Sequence, residues 1–245
     1  MCIIGYVVLP MKGISMKRIL FISSLLFSIS SSTFANDFGT WNTIQVQKNL
    51  PNKFSIGASE ESRIGTIDKD RKLDEFHTTL FADWRVVDWM SIGIQDDFVL
   101  LRRVGSSSKY SHDNRPGINL SFHQSYKGFD FMNRSRFIMR DLENERPYFR
   151  YRNLSKITMP EVVQALGCPV RPYVSYEWYF DEGSKDREIR KNDKFGQFWT
   201  DFGLQVKLNQ NCSISLFYRL VELKSTSDHS WQPSHVVGTA FTFSF

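Results

Sequence analysis

The chain has 245 residues, 15% of them aromatic, and a formal net charge of +5. Lys12, Lys17 and Arg18 are the only charged residues among the first 35, so the net charge of the rest is +2. A positive charge this small and this dispersed argues against a nucleic-acid-binding protein. The roughly 210 residues that follow suit a single domain.

The first 35 residues include the pattern of a secretory signal peptide. Lys17-Arg18 precedes an apolar run over residues 19–29, and small residues follow up to Ala35. A positive start, a short apolar core and a small-residue cleavage site are typical of a segment removed on export, and the run is short for a membrane helix. We therefore expect three parts: residues 1–15 as an upstream extension of the reading frame, 16–35 as a signal peptide cleaved after Ala35, and 36–245 as the mature domain.

From residue 36 onward, large apolar residues alternate with small or polar ones in short segments. One such segment has Phe76, Thr78, Leu80, Ala82 and Trp84 at every second position. This period of two predicts β-strands, and many strands at short spacing predict an all-β sandwich or barrel. Residues 160–166 form the one stretch whose pattern suits a short turn of helix.

Barrel architecture constrains the number of strands. Eleven strand-like segments can be counted, the first at about Phe38–Lys48, whereas bacterial single-chain barrels have an even number. We therefore expect ten wall strands, with the first segment in the lumen or at the rim. The alternative is twelve, with one strand that the pattern does not reveal.

The connections between these segments alternate in length. Short periplasmic turns and longer external loops are typical of outer-membrane barrels, whereas a soluble sandwich gives no reason for such alternation. Short connections lie at 50–53, 87–89, 126–128 and 208–211, and longer ones at 65–72, 102–115, 181–194 and 224–233.

The last nine residues, 237–245, alternate large with small side chains and end at Phe245. An exposed strand of this kind would expose a soluble protein to edge-to-edge aggregation, but a closed barrel in lipid has no free edge and needs an apolar outer face. The strand also looks like the signal read by the bacterial outer-membrane assembly machinery. We therefore predict a single antiparallel transmembrane β-barrel in the bacterial outer membrane. Its partners would be membrane lipid, lipopolysaccharide and that machinery.

The region 132–152 is the most polar of the chain. If Phe137 and Met139 face lipid, the alternation turns five arginines inward on two neighbouring strands. Three interpretations stay open: a salt-bridge network that fills the lumen, a ladder that binds or guides anions, or arginines at strand ends that hold lipopolysaccharide phosphates. The arginines are Arg134, Arg136, Arg140, Arg150 and Arg152, and the inward acids on other strands are Glu75, Asp83, Asp97, Glu177 and Asp201.

A lipid-acting hydrolase is a further hypothesis, because Ser121 and His123 lie on one face of one strand and a hydroxyl needs a base to become a nucleophile. Serine and histidine are also ordinary residues of a polar lumen. An Asp83–His77 dyad is excluded by a separation of about 20 Å along the strand. The histidines lack the spacing of metal ligands, so we expect neither a metal nor a cofactor.

Cys168 and Cys212 fall at the periplasmic ends of their strands, in an oxidising compartment. A disulfide between them is one possibility. One strand separates their anchors by about 10 Å, however, which is beyond bonding range unless the turn bends across. Two reduced thiols are the alternative.

Several short motifs occur along the chain: Trp41 followed by residues 45–50, the pairs Arg134-x-Arg136 and Arg150-x-Arg152, residues 172–177, and Phe241-x-Phe243-x-Phe245. Together they resemble the DUF2490 family, a group of uncharacterised bacterial proteins regarded as outer-membrane β-barrels. The resemblance implies the fold and the location, and it implies no activity and no site residues.

Three functions follow from these observations. The first is a barrel that binds or passes a small anionic or amphipathic solute through a lumen lined by the five arginines and Glu177. The second is a structural or surface-interaction barrel with a filled lumen. The third is the hydrolase centred on Ser121 and His123.

Overall fold

The protein is represented by a computed structural model that describes residues 38–68, 71–103, 110–143, 146–165, 167–182, 195–224 and 231–245. The signal peptide, its cleavage after Ala35 and the reading-frame extension lie outside the described residues and stay predictions. Among the described residues, no helix is long and apolar enough to cross a membrane.

The described part of the chain folds into twelve strands, with one 3-10 turn at Pro51–Lys53. The strands are β1 (Phe38–Asn49), β2 (Phe54–Asp68), β3 (Arg71–Val87), β4 (Met90–Arg103), β5 (Tyr110–Tyr126), β6 (Phe129–Leu142), β7 (Tyr148–Thr158), β8 (Val163–Ala165), β9 (Cys168–Glu182), β10 (Phe195–Lys207), β11 (Cys212–Lys224) and β12 (Trp231–Ser244).

The sheet closes into a barrel. Among the described residues, eleven strands form the wall, each antiparallel to the next, and β12 pairs with β1 in parallel to complete it. The short strand β8 pairs only with β9 and lies outside the wall. The all-β, single-barrel prediction is confirmed at this level.

The expectation of ten wall strands was wrong, as was the placement of the first segment in the lumen. The alternative of twelve matches the total number of strands in the described part of the chain, but only eleven of them form the wall. Strand β1 is a wall strand that pairs on both edges, with β2 and with β12. The even-number rule assumes that closure is antiparallel, but an odd number of strands can close through one parallel pair. The number of wall strands therefore depends on whether the closing pair is parallel or antiparallel, and the sequence pattern carries no information on that direction.

Two connections also differ from the sequence analysis. Strands β2 and β3 continue as a paired hairpin up to Asp68 and Arg71, so most of the predicted link at 65–72 belongs to strands. Within 160–166, three residues form β8 instead of a helical turn, because they pair with the first residues of β9.

The connections give the barrel two distinct ends. We call the end that carries the connections 50–53, 88–89, 127–128 and 208–211 the turn end, and the opposite end the loop end. One of the tight turns at the turn end is Lys127-Gly128, which joins β5 to β6 with φ values of 48° and 82°. Positive φ at both positions matches the twist of the flanking strands, and glycine adopts it without strain.

Side chains along the wall divide into an outward apolar set and an inward polar set. Ile94 and Phe137, on the outside, are 63% and 56% exposed, whereas the lumen-facing Asp97 and Asn119 are 4% and 6% exposed. This is the reverse of the arrangement in a soluble globular protein.

The interior is unequally filled along its length. Toward the loop end lies a core cluster formed by Trp41, Tyr179, Trp199, Val221 and Val236. Toward the turn end lies a cavity of about 1040 Å³, whose lining reaches Asn49, Leu50 and Asp88. The cavity therefore opens at the turn end and has the core cluster as its floor.

Candidate functional site

Most lumen arginines are paired with carboxylates on neighbouring strands. Arg150 donates to Asp181 from Nε and Nη2 at 2.5 and 2.7 Å, and Arg152 donates to Glu177 from the same two atoms at 3.1 and 3.0 Å. Two-point contact of this kind is the strongest form of arginine–carboxylate bond. Three of the predicted lumen residues therefore serve as ion-pair partners near the loop end.

Further pairs complete this arrangement. Arg115 and Arg140 share the Asp113 carboxylate, and Arg219 donates to Asp201 from Nε and Nη2 at 2.5 and 2.8 Å. Because each arginine of these pairs faces a carboxylate, its desolvation is compensated.

The guanidinium groups also stack on the aromatic rings of the core cluster. Arg63 lies 4.2 Å from the Trp41 ring centre, Arg219 lies 4.6 Å from that of Trp199, and Arg152 lies 4.7 Å from that of Tyr179. Cation–π contacts add to the ion pairs when the site is desolvated. Arg63 is itself paired with Glu61 and Glu75. We use the name plug for the core cluster together with the lumen ion pairs near it. The arginines of these pairs are Arg63, Arg115, Arg140, Arg150, Arg152 and Arg219.

Arg134 and Arg136 differ from the arginines of the plug. Both line the cavity, and neither has an ion pair within the described part of the chain. Each has a buried Nε atom without a hydrogen-bond acceptor. Arg140, Arg150, Arg152 and Glu177 thus belong to the plug, whereas Arg134 and Arg136 remain available to a ligand.

The strand register places these two arginines in two neighbouring rows of inward residues. One row runs Asp83, Gly93, Asn119 and Arg136 across β3 to β6, and the next runs Arg85, Ser91, Ser121 and Arg134. In each row an acid or a base on β3 faces an arginine on β6, with small or neutral polar residues between them.

Gly93 makes room for Asp83 in the first row. A Cβ atom at Gly93 would lie 1.9 Å from Asp83 Oδ1 and 2.9 Å from the Ala82 carbonyl oxygen. The Asp83 carboxylate therefore lies across β4 toward β5, which only a glycine permits. This brings a carboxylate into the same part of the cavity as Arg134 and Arg136, which act on it electrostatically without an ion pair.

Two buried acceptors line the same cavity as these arginines. Asn119 pairs with Arg136 in the register, and its Oδ1 has no donor. Asp97 accepts a hydrogen bond from Gln95 Nε2 at 3.1 Å through Oδ2, but its Oδ1 has no donor. A buried acceptor without a donor is costly, so these atoms mark a place where a ligand or water supplies one.

Ser121 and His123 lie on the cavity wall, as the sequence placed them. Their side chains are not hydrogen-bonded to each other, and His123 is held by a backbone bond from its N–H to the Trp89 carbonyl at 2.8 Å. The nucleophile–base contact of a hydrolase is therefore not assembled. His77, the other member of the Asp83 dyad excluded above, is hydrogen-bonded to Glu75 at 2.8 Å. Within the described ranges, no cluster of three metal-ligand side chains occurs.

Cys168 and Cys212 begin β9 and β11 at the turn end, with β10 between them. The structure does not join them in a disulfide. The intervening strand is the physical reason, since it separates the two anchors. Of the two possibilities left open by the sequence, the disulfide gains no support from the structure.

Sequence reasoning missed Arg63, Arg115 and Arg219 as lumen cations. Their positions follow the same period of two, so alternation along β2, β5 and β11 could have identified them. Lys156 was missed as well, and its Nζ lies 3.9 Å from the Tyr173 ring centre at the cavity. These cations are isolated along the chain, so no local cluster marks them as the arginines in 132–152 are marked.

Comparison with known proteins gives a family and two distant likenesses in structure. The family model described as a protein of unknown function, DUF2490, matches residues 38–232. LpxR from Salmonella typhimurium is 10% identical, with 82% of this chain and 87% of that chain covered and a TM-score of 0.49. The NanC porin is 14% identical, with 84% and 97% covered and a TM-score of 0.48. No curated protein matches the chain, and neither solved structure is similar enough to carry an argument.

Proposed function

Because the chain belongs to the DUF2490 family of proteins of unknown function, we propose its role from the site itself. The protein is an outer-membrane β-barrel that binds a small anionic solute at Arg134 and Arg136, in a cavity open to the periplasm. The observation that carries this proposal is that Arg134 and Arg136 line the lumen without a carboxylate partner among the described residues.

The outer surface supports the membrane location. Many of its exposed side chains are large and apolar, and Trp84, Trp89, Tyr126 and Phe129 are exposed near the turn end. Aromatic rings concentrate at membrane–water interfaces, and short turns lie on the periplasmic side of outer-membrane barrels. The turn end is therefore the periplasmic end in this proposal.

Charge compensation supports the anion. A buried guanidinium group without a partner is destabilised by desolvation. A carboxylate or phosphate would supply the missing acceptors, and the planar guanidinium matches either group through two parallel hydrogen bonds. Two arginines at positions i and i+2 of one strand project to the same side, so one anion can contact both.

The plug decides the direction of access. Ion pairs and stacked rings fill the lumen toward the loop end, while the cavity opens at the turn end. The solute therefore enters from the periplasm. Passage through the barrel would need the plug to rearrange, so we propose binding as the resting function.

A second candidate is a structural barrel with a filled lumen, which the plug itself favours. The two proposals differ in one respect: a structural barrel has no use for Arg134 and Arg136 as unpaired cations. Anion binding that depends on these residues separates the two.

The test is isothermal titration calorimetry with acetate and inorganic phosphate, on protein in the non-ionic detergent dodecyl maltoside. We expect the double variant Arg134→Gln/Arg136→Gln to bind at least about tenfold more weakly, since charge-assisted hydrogen bonds each contribute roughly 1.5–3 kcal/mol.

Lys53→Gln is the matched control. Lys53 also lines the cavity, but it is paired with Asp88 at 3.1 Å. Its removal should change the affinity less than twofold. Wild-type protein that releases no heat with either anion, or a double variant as tight as wild type, would leave the structural barrel as the better account.

A further inference from the structure

We infer that the ligand is an acid that also carries hydrogen-bond donors, either hydroxyl or ammonium groups. This inference rests on the proposed anion binding and goes further by assigning the rest of the ligand. Arg134 and Arg136 hold the acidic group, and acceptors on the neighbouring strands receive the donors.

The first argument comes from Asn119 and Asp97. Both residues are more than nine-tenths buried, both line the cavity, and each has one oxygen without a donor. A simple carboxylate bound at the arginines has no hydrogen to give these atoms. A ligand with hydroxyl or ammonium groups satisfies the cations and the acceptors together.

The second argument comes from the charge pattern across the two rows. The Asp83 carboxylate is turned toward β5 over Gly93, whereas the two guanidinium groups belong to β6. Neighbouring strands are about 4.8 Å apart, so the backbones of β4 and β6 are separated by roughly 10 Å. Asp83 and the two arginines therefore form a dipolar set of charges, and Arg85 lies beside Asp83 in the neighbouring row.

A dipolar site discriminates between classes of ligand. Asp83 repels a ligand that is anionic throughout, and the two arginines repel a simple cation. A molecule that is acidic at one end and carries donors at the other interacts favourably with both sides. Ser91 and Ser121, which lie between the two sides in the register, can each donate to and accept from a hydroxylated ligand.

The experiment compares three four-carbon acids of equal length by calorimetry in dodecyl maltoside: butyrate, threonate and 4-aminobutyrate. Butyrate has no donor besides its acid group, threonate has hydroxyl groups, and 4-aminobutyrate has an ammonium group. We expect threonate or 4-aminobutyrate, or both, to bind about tenfold more tightly than butyrate. This is roughly the gain from one additional hydrogen bond to a charged or buried group.

The outcomes separate this inference from the proposed function. Preference for threonate identifies hydroxyl groups as the donors, and preference for 4-aminobutyrate identifies an ammonium group. Equal affinity for all three acids overturns the inference while the anion site stands, with water as the partner of the orphan acceptors. Absence of binding by all three overturns both.

Two variants locate the discrimination. Asn119→Ala should reduce the preference over butyrate to less than threefold, and Asp83→Asn should weaken 4-aminobutyrate more than threonate while leaving butyrate within twofold. Gln205→Ala, on the opposite cavity wall, is the control and should preserve the preference. Retained mobility shift between boiled and unboiled samples in electrophoresis shows that each variant is folded. A preference that survives both site variants contradicts the assignment.

Discussion

Toward the loop end, Arg150, Arg152 and Arg219 each reach a carboxylate through two donors. In the half that opens at the turn end, Arg134 and Arg136 reach no carboxylate among the described residues. Both sets lie in the lumen of the same barrel and consist of the same residue type. The comparison shows that the partner, rather than the cation, decides whether a lumen arginine stabilises the fold or remains available to bind.

The largest expected effect comes from removing a partner inside the plug. Asp201 accepts from Arg219 and also from Ser175 Oγ at 3.0 Å. Asp201→Ala leaves a buried guanidinium group unpaired, so the free energy of unfolding should fall by about 3–5 kcal/mol. Urea titration in lipid vesicles, followed by tryptophan fluorescence, measures this loss.

The matched control is Asp88→Ala, which removes the exposed partner of Lys53 at the turn end. Exposed ion pairs contribute little, so its unfolding curve should overlay that of the wild type. Equal losses for the two variants would contradict the distinction between buried and exposed pairs.

A smaller effect is expected at Gly93, in the wall of the cavity. Gly93→Ala forces the new Cβ against Asp83 Oδ1 and the Ala82 carbonyl. Overpacking of this kind costs about 1–3 kcal/mol in unfolding free energy. The measurement is a double-mutant cycle with Asp83→Ala.

In the Asp83→Ala background the cost of Gly93→Ala should fall by at least about half, since the closest clash is gone. The same cost in both backgrounds would mean that the Ala82 backbone, and not the Asp83 carboxylate, fills the space above Gly93.

The smallest effect, and one of opposite sign, is expected at Arg134. Arg134→Met removes a half-buried cation that has no ion pair with any described residue, so the free energy of unfolding should stay unchanged or rise by up to about 1 kcal/mol. Arg219→Met, measured in the same way, should lower it. A loss at Arg134 as large as that at Arg219 would show that the two halves of the lumen are alike.

Much of the wall could be predicted from the sequence, because side-chain direction depends only on position along a strand. Alternation placed Arg134, Arg136, Arg150 and Arg152 inward, and their lumen position follows from the cavity lining and the ion pairs. The count of strands failed at β1, because pairing direction at the closing seam depends on contacts far apart in the chain.

The functional difference between the arginines was beyond sequence reasoning. The pairs Arg134-x-Arg136 and Arg150-x-Arg152 are the same motif, yet only the second finds carboxylates, at Asp181 and Glu177. Which acid stands across from which arginine is decided by the register of β7 with β9. Register over some 25–31 residues of separation leaves no local signal in the sequence.

The parallel pairing of β1 with β12 has a consequence for biogenesis. In an even-stranded barrel the two seam strands point in opposite directions, and the two chain ends are found on one side of the bilayer. Here Phe38 and Phe245 lie at opposite ends of the same seam. In the proposed orientation, with the turn end in the periplasm, the Phe38 end of β1 would have to cross the whole membrane before the wall could be sealed. Closure would then be a translocation event as well as a pairing event.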